Sequence, residues 1–238
     1  MTKPTMDTAP EAQFDAYATG YDDEVNKSLA FLGGVKVDYF TRVKAGYLLD
    51  LLGAHFGATQ GLNLLDVGCG VGNFHPLLSA SVGSITGIDM SAASVAEAAA
   101  RNPGVRYDSY DGARLPYADA SFDAAMTVCV MHHVPPAQWP AFAAEMRRVV
   151  RPGGLVTVFE HNPVNPLTMR VVNNCEFDAD AVLLRQREVR GLLAGAGCRN
   201  IASRAILSVP SAGPLSRKLD RALGRIGLGA QYYVTGEA

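Results

Sequence analysis

The sequence predicts an α/β protein built on a doubly wound, mostly parallel sheet of seven strands. Short apolar runs, LNLLDV, SITGID, FDAAMTVCV and GLVTVFE, alternate with segments of helical periodicity, the pattern of parallel strands buried on both faces. The first run enters a glycine-rich turn, LLDVGCGVGN, of the kind that joins a strand to a helix. A chain of 238 residues is enough for one such domain with a substantial core.

The elements follow in order. After a polar, Pro-containing start, FDAYATGYDDEVNKSLAF mixes aromatic residues with charge in a helical pattern, and residues 1–60 are expected to form a helical cap. From Asp38 to Leu52 the side chains of Tyr39, Val43, Tyr47, Leu48 and Leu51 set a stronger helical stripe, which Gly53 is expected to end. The core, residues 61–238, then runs through LNLLDV, SITGID, a weaker strand VRYDS, and FDAAMTVCV. AQWPAFAAEMRRVV places Trp139, Phe142, Met146 and Val149 on one helical stripe, and RPGG leads into GLVTVFE. Residues 161–187 form a Pro- and Asn-rich insert after the fifth strand, too long for a simple connection and expected to line a substrate pocket. A helix (Glu188 to Ala194), a strand (ASRAILSV), a helix (Leu215 to Ile226) and a last strand (AQYYVTG) complete the chain.

Composition narrows the function. A hydrophobic content of 48%, a charged content of 18% and a mean hydropathy of +0.08 describe a globular chain. With 21 basic against 23 acidic side chains, the net charge of -2 lacks the footprint of a nucleic-acid binder. Charges and glycines interrupt every apolar segment, so no membrane span is expected. Cys69, Cys129, Cys175 and Cys198 form neither a CxxC pair nor a cluster and read as reduced thiols. MTKPTMDTAPEAQ has no apolar signal core, and a cytoplasmic location is expected. Oligomeric state stays open, a homodimer being one option.

The chemistry concentrates at three places. Gly68, Gly70 and Gly72 let the backbone turn sharply and a ligand approach closely, but Asn73 stands where a GxGxxG loop wants its third glycine. Asp89 closes the next strand, where an acidic side chain accepts ribose hydroxyls. Asp111 follows the weak strand and can accept from an exocyclic adenine amine. Alone, Asp89 reads equally as a helix N-cap and Asp111 as a turn residue before Gly112. Their order sets a nucleoside across successive strand ends.

With these motifs the sequence resembles the class I S-adenosylmethionine-dependent methyltransferases, particularly the bacterial small-molecule branch related to ubiquinone and menaquinone biosynthesis. The resemblance runs from Leu62 to Glu160 through LLDVGCGVGNF, GIDMS, DGARLPYADASFD and RPGGLVTVFE. It implies a Rossmann-like fold, S-adenosylmethionine as cofactor, and a donor site drawn from Tyr21, Asp66, Gly68, Gly70, Gly72, Asp89, Met90, Asp111, Gly112 and Cys129. It also implies an N-terminal helical lid, to which Phe14, Tyr17 and Tyr21 belong.

Methyl transfer from a sulfonium needs a positioned acceptor and, for a hydroxyl or ammonium, a base. His132 and His133 follow the fourth strand and are the candidate bases, with Glu160 and His161 at the end of the fifth strand to orient them or the acceptor. They read equally as a packed structural turn and a cluster that anchors the insert. His132, His133, Glu160, His161 and Asn162 lack the clustered carboxylates of a magnesium site and would suit a transition metal better, but paired histidines are common without metal, and no metal is expected. Near the C-terminus, Arg217, Lys218, Arg221 and Arg225 oppose Leu215, Leu219, Leu223 and Ile226, as on a solvated helix with an apolar underside. The expected function is methylation of an oxygen or nitrogen of a small-molecule metabolite. The alternatives are a nicotinamide-dependent oxidoreductase, disfavoured by Asn73, and a non-catalytic S-adenosylmethionine-binding regulator.

Overall fold

A computed structural model describes residues 26–29, 36–208, 219–220, 222–224 and 226–238, without the Phe177 side chain. Phe14, Tyr17 and Tyr21, and the basic residues Arg217, Lys218, Arg221 and Arg225, lie outside the described residues. The first long helix, α1 (Val37–Phe56), is followed by β1 (Asn63–Val67), α2 (His75–Leu78), β2 (Ser84–Asp89), α3 (Ala92–Arg101) and β3 (Arg106–Ser109). The second half holds β4 (Phe122–Val128), α4 (Trp139–Val149), β5 (Val150–His161), α5 (Pro166–Asn174), α6 (Gln186–Gly195), β6 (Arg199–Ile206) and β7 (Gln231–Glu237).

The seven strands form one sheet in the order β3-β2-β1-β4-β5-β7-β6. The pairings from β3 to β5 are parallel, whereas β7 runs antiparallel to both β5 and β6. The expectation of a mostly parallel sheet is therefore corrected: the sheet is mixed. The physical reason is that β6 follows the α6 crossover and leaves a one-strand gap beside β5, which β7 fills from the opposite direction. Apolar runs encode burial on both faces but not strand direction.

Two apolar layers enclose the sheet. On one face Ala143, Met146 and Val149 of α4 and Val189 and Leu193 of α6 pack on Leu65, Val67, Val156 and Val158. On the other, Val43, Tyr47, Leu48 and Leu52 of α1 pack on Leu64, Ile85, Ala124, Met126 and Phe159. Much of the segment expected in the cap thus covers the sheet itself. The helix also passes Gly53, whose carbonyl accepts the Gly57 amide at 3.0 Å, and it ends where Gly57 takes φ 77°. The insert after β5 contains α5, capped by Asn165, whose side chain accepts from the Leu167 and Thr168 amides. Among the described residues no helix is long and apolar enough to cross a membrane.

Candidate active site

The strand order reverses between β1 and β4, so the carboxyl ends of these strands flank a crevice, the standard ligand position in open α/β sheets. The glycine loop lines it. Gly68 adopts φ 76°, and a Cβ there would collide with Val130, so the loops after β1 and β4 meet side by side. The amides of Gly68 and Cys69 both donate to the Ile88 carbonyl, at 2.8 and 3.1 Å, tying the loop to the end of β2. Gly72, at φ 74°, would drive a Cβ to 2.6 Å from Tyr107 Oη and 2.7 Å from Asn102 Nδ2. Gly70 adopts φ 51° and has open space where a Cβ would stand, which leaves room for a ligand against the backbone.

Acidic side chains surround that space. Asp89 Oδ2 accepts the Gly70 amide at 2.8 Å and Oδ1 accepts the Ser91 amide at 2.9 Å. Burial raises its pKa above the ordinary carboxylate value, against the backbone hydrogen bonds that favour the charge. Asp111 Oδ1 accepts the Ala113 amide at 2.9 Å in an exposed turn. A Cβ on Gly112 would meet the Met90 sulfur at 2.7 Å, so the thioether lies against bare backbone. Asp66 is buried, with Oδ2 3.1 Å from His75 Nε2 and Oδ1 without a hydrogen-bond partner. His75 Nδ1 in turn lies 2.5 Å from Tyr107 Oη, so an Asp66-His75-Tyr107 chain, buried at its first two members, braces the loop. An open cradle at Gly70, an orphaned acceptor on Asp66 and carboxylates at two further strand ends fit S-adenosylmethionine, with its ammonium and its ribose and adenine donors.

The second half of the site starts at Cys129, a non-glycine residue with φ 57° whose amide donates to the Phe159 carbonyl at 2.8 Å. This bend redirects the chain from β4 into a 3-10 turn, Met131–His133, and the left-handed conformation costs about 1 to 3 kcal/mol. His132 is buried, with Nδ1 2.6 Å from Glu160 Oε2 and Nε2 3.5 Å from Asp178 Oδ1. Burial opposes its charge, but the two carboxylates outweigh that and push its pKa up to about 10. Its rings neighbour His133 and His161, with centroids 4.1 and 5.1 Å away. Burial and the adjacent imidazolium hold His133 down to about 3 and His161 down to about 4. One cation and two neutral imidazoles result.

Lys44, from α1, is buried in the same region, with Nζ 3.6 Å from Cys129 Sγ and 5.5 Å from the Phe74 ring centroid. Burial raises the Cys129 thiol, against the pull of Lys44. Gln231 Nε2 lies 3.6 Å from Cys129 Sγ and 3.3 Å from His161 Nδ1. A single cavity of about 1080 Å³ touches Asp66, Gly70, Asp89 and Asp111 at one end and Lys44, His133 and His161 at the other. Of the residues singled out in the sequence, Asp66, Gly68, Gly70, Asp89, Met90, Asp111, Gly112, Cys129, His132, His133 and His161 all line it. Glu160 stands behind His132, Gly72 packs against Tyr107 and Asn102, and Asn162 donates to the Gly227 and Gly229 carbonyls. Lys44, His75, Tyr107, Asp178 and Gln231 were not visible as site residues, since each joins through a contact distant in sequence; only the position of His75 just after the glycine loop was a signal.

A doubly wound sheet with a glycine loop after β1 and acids at successive strand ends is the architecture of nucleotide-binding and nucleoside-binding α/β proteins. Residues 65–158 match the family model of a methyltransferase domain, and the resemblance to class I S-adenosylmethionine-dependent methyltransferases holds over that stretch. The chain is 33% identical over 154 residues to demethylmenaquinone methyltransferase of Beutenbergia cavernae, covering 63% of this chain and 62% of that protein. It is 31% identical over 235 residues to 24-methylenesterol C-methyltransferase 2 of Oryza sativa subsp. japonica, covering 93% of this chain and 62% of that protein. The chain thus spans about three fifths of the length of the curated relatives it matches. A solved S-adenosylmethionine-dependent methyltransferase from Thermotoga maritima shares the fold with a TM-score of 0.67 at 18% identity, over 96% of this chain and 99% of that one.

Proposed function

We propose that the chain transfers a methyl group from S-adenosylmethionine to an oxygen or nitrogen of a small-molecule acceptor. The observation that carries this reading is the continuity of the cavity from the glycine loop to the imidazole cluster. When bound, the donor supplies an electrophilic methyl on a sulfonium. Asp89 and Asp111 would orient the ribose and adenine, Gly70 admits the ligand against backbone, and Asp66 offers its free oxygen to a donor group.

At the other end the chain's work is positioning, water exclusion and proton handling. His133 and His161 are uncharged at neutral pH, so their ring nitrogens can accept a hydrogen bond from the acceptor; to take its proton, either ring needs the charge of His132 offset by an anionic group in the bound acceptor. His132 already carries its proton and serves to orient. Phe40, Pro135, Phe142 and Val171 wall the cavity with apolar surface, and Lys44 presents a buried cation to an acidic acceptor.

A carbon acceptor is the second reading, favoured by the C-methyltransferase that matches 93% of this chain. Calorimetry with adenosylhomocysteine and NAD tests the donor, and release of adenosylhomocysteine with a panel of phenols, carboxylic acids and amines tests turnover. Binding of NAD in place of adenosylhomocysteine sinks the reading. NMR of the product made with a carbon-13 methyl donor separates methylation at oxygen or nitrogen from methylation at carbon.

A further inference from the structure

We propose that His132, His133 and Asp178 form a binding site for one divalent transition-metal ion of the zinc class, open toward the acceptor end of the cavity. The two imidazoles sit on consecutive residues of the turn after β4, and Asp178 ends the 3-10 turn Glu176–Asp178 of the insert. Nε2 of His132 and Nε2 of His133 each lie 3.5 Å from Asp178 Oδ1, and one ligand atom from each residue lies within 4.8 Å of the others. Ligands about 2.0 to 2.2 Å from a tetrahedral zinc stand about 3.3 to 3.6 Å from one another, so two edges of the ligand triangle already have the separation of a formed site.

The donor chemistry selects the ion. Two imidazole nitrogens and one carboxylate suit zinc, cobalt or iron, whereas magnesium and calcium take oxygen-rich shells. Behind the ligands, Glu160 Oε2 lies 2.6 Å from His132 Nδ1 while Oε1 accepts the Met131 amide at 2.8 Å. That arrangement aims His132 Nε2 toward Asp178, as the carboxylate-histidine pairs of metal sites do, and an ion bound there would displace the proton that the imidazolium carries in the metal-free chain. Two positive charges on the ion match the two carboxylates, Asp178 and Glu160, of which Glu160 is fully buried. The Val182 amide donates to the His132 carbonyl at 2.8 Å, so the insert that carries Asp178 is fastened to the turn that carries the histidines.

His132, His133 and Asp178 all line the cavity, so three protein ligands would leave a fourth position facing it, the layout of catalytic rather than structural zinc. That position would take an oxygen of the acceptor; this assignment rests on the methyl-transfer reading, while metal binding itself does not. The sequence predicts no metal, because His132, His133, Glu160, His161 and Asn162 lack clustered carboxylates; Asp178 joins the two imidazoles only through the fold.

The test uses the whole chain, stripped with chelator and titrated with Zn²⁺ by calorimetry and with Co²⁺ by visible absorption. The expected result is one ion per chain with the intense absorption of four-coordinate cobalt. Asp178→Asn, which preserves shape, and His133→Ala should abolish that spectrum, and Glu160→Gln should weaken binding about 10- to 100-fold. Adenosylhomocysteine affinity and circular dichroism, both at wild-type values, certify that the variants are folded. Absence of stoichiometric metal in the wild type, or wild-type metal affinity in Asp178→Asn, overturns the proposal and leaves an ion-paired cluster. Metal binding without adenosylhomocysteine binding upholds it while sinking the methyl-transfer reading.

Discussion

His132 Nδ1 lies 2.6 Å from Glu160 Oε2, with both side chains buried, and this pair divides the protonation states of the site. Burial first, and then the charged imidazole at His132, make a second and a third charge there unfavourable, which keeps His133 and His161 neutral.

The stability of the metal-free chain should therefore depend on pH in two opposite ways. His132 has a folded pKa of about 10, above its ordinary value, so its contribution is complete below about pH 6.5 and is lost as pH rises through about 10. His133 and His161 have depressed values of about 3 and about 4, so their contributions are present above about pH 6.5 and fade as pH falls below it. Thermal unfolding of wild type and His132→Gln in chelator should show a decline toward alkaline pH that only the wild type has. Parallel profiles between neutral and alkaline pH would remove the charge assignment. Glu160→Gln should cost about 3 to 5 kcal/mol, since it strands a buried imidazolium.

Asp89→Ala should weaken adenosylhomocysteine by about 1 to 3 kcal/mol, measured by calorimetry. The loss has two sources: the removed acceptor for the ribose, and the freed Gly70 amide that Asp89 now holds at 2.8 Å. An unchanged dissociation constant would disprove the assignment.

Two loop glycines should differ in how alanine divides its cost between stability and binding. Gly72→Ala places a methyl 2.6 Å from Tyr107 Oη and should lower stability by about 1 to 3 kcal/mol through overpacking. Gly70→Ala meets nothing within 4 Å and should cost only about 1 to 2 kcal/mol of backbone strain, yet weaken adenosylhomocysteine more than its effect on melting implies. Melting temperature and dissociation constant, measured together, decide it; the idea fails if both variants lose binding only in proportion to stability.

Replacing the true base should lower turnover about a hundredfold while leaving donor affinity nearly unchanged. His133→Ala and His161→Ala, singly and together, should do this, and His132→Ala should also broaden the pH dependence. Near-normal turnover in all of them from about pH 6 to about pH 9, bracketing the histidine range, would make the imidazoles structural.

The local elements around the glycine loop were legible from residues alone. SITGID coincides with β2, Ser84–Asp89, because an apolar run bounded by a turn and a helix cap is a local signal. The left-handed conformations of Gly68, Gly70 and Gly72 follow equally from their own residue type. Gly53 misled because a glycine inside a well-packed helix is tolerated: buried Leu48 and Leu52 hold the turn that carries it.

By itself, then, the sequence determined which segments become strands, where the chain turns on glycine, and that carboxylates stand at the ends of β1 and β2 and just beyond β3. These are consequences of backbone freedom and of apolar period, which act over a few residues. Only the tertiary structure decided that β7 enters antiparallel between β5 and β6, that Lys44 faces Cys129, that His75 joins Asp66 to Tyr107, and that Asp178 closes a triangle with His132 and His133. It also decided which imidazole carries the proton, because that depends on burial and on charges brought together from segments far apart in the chain.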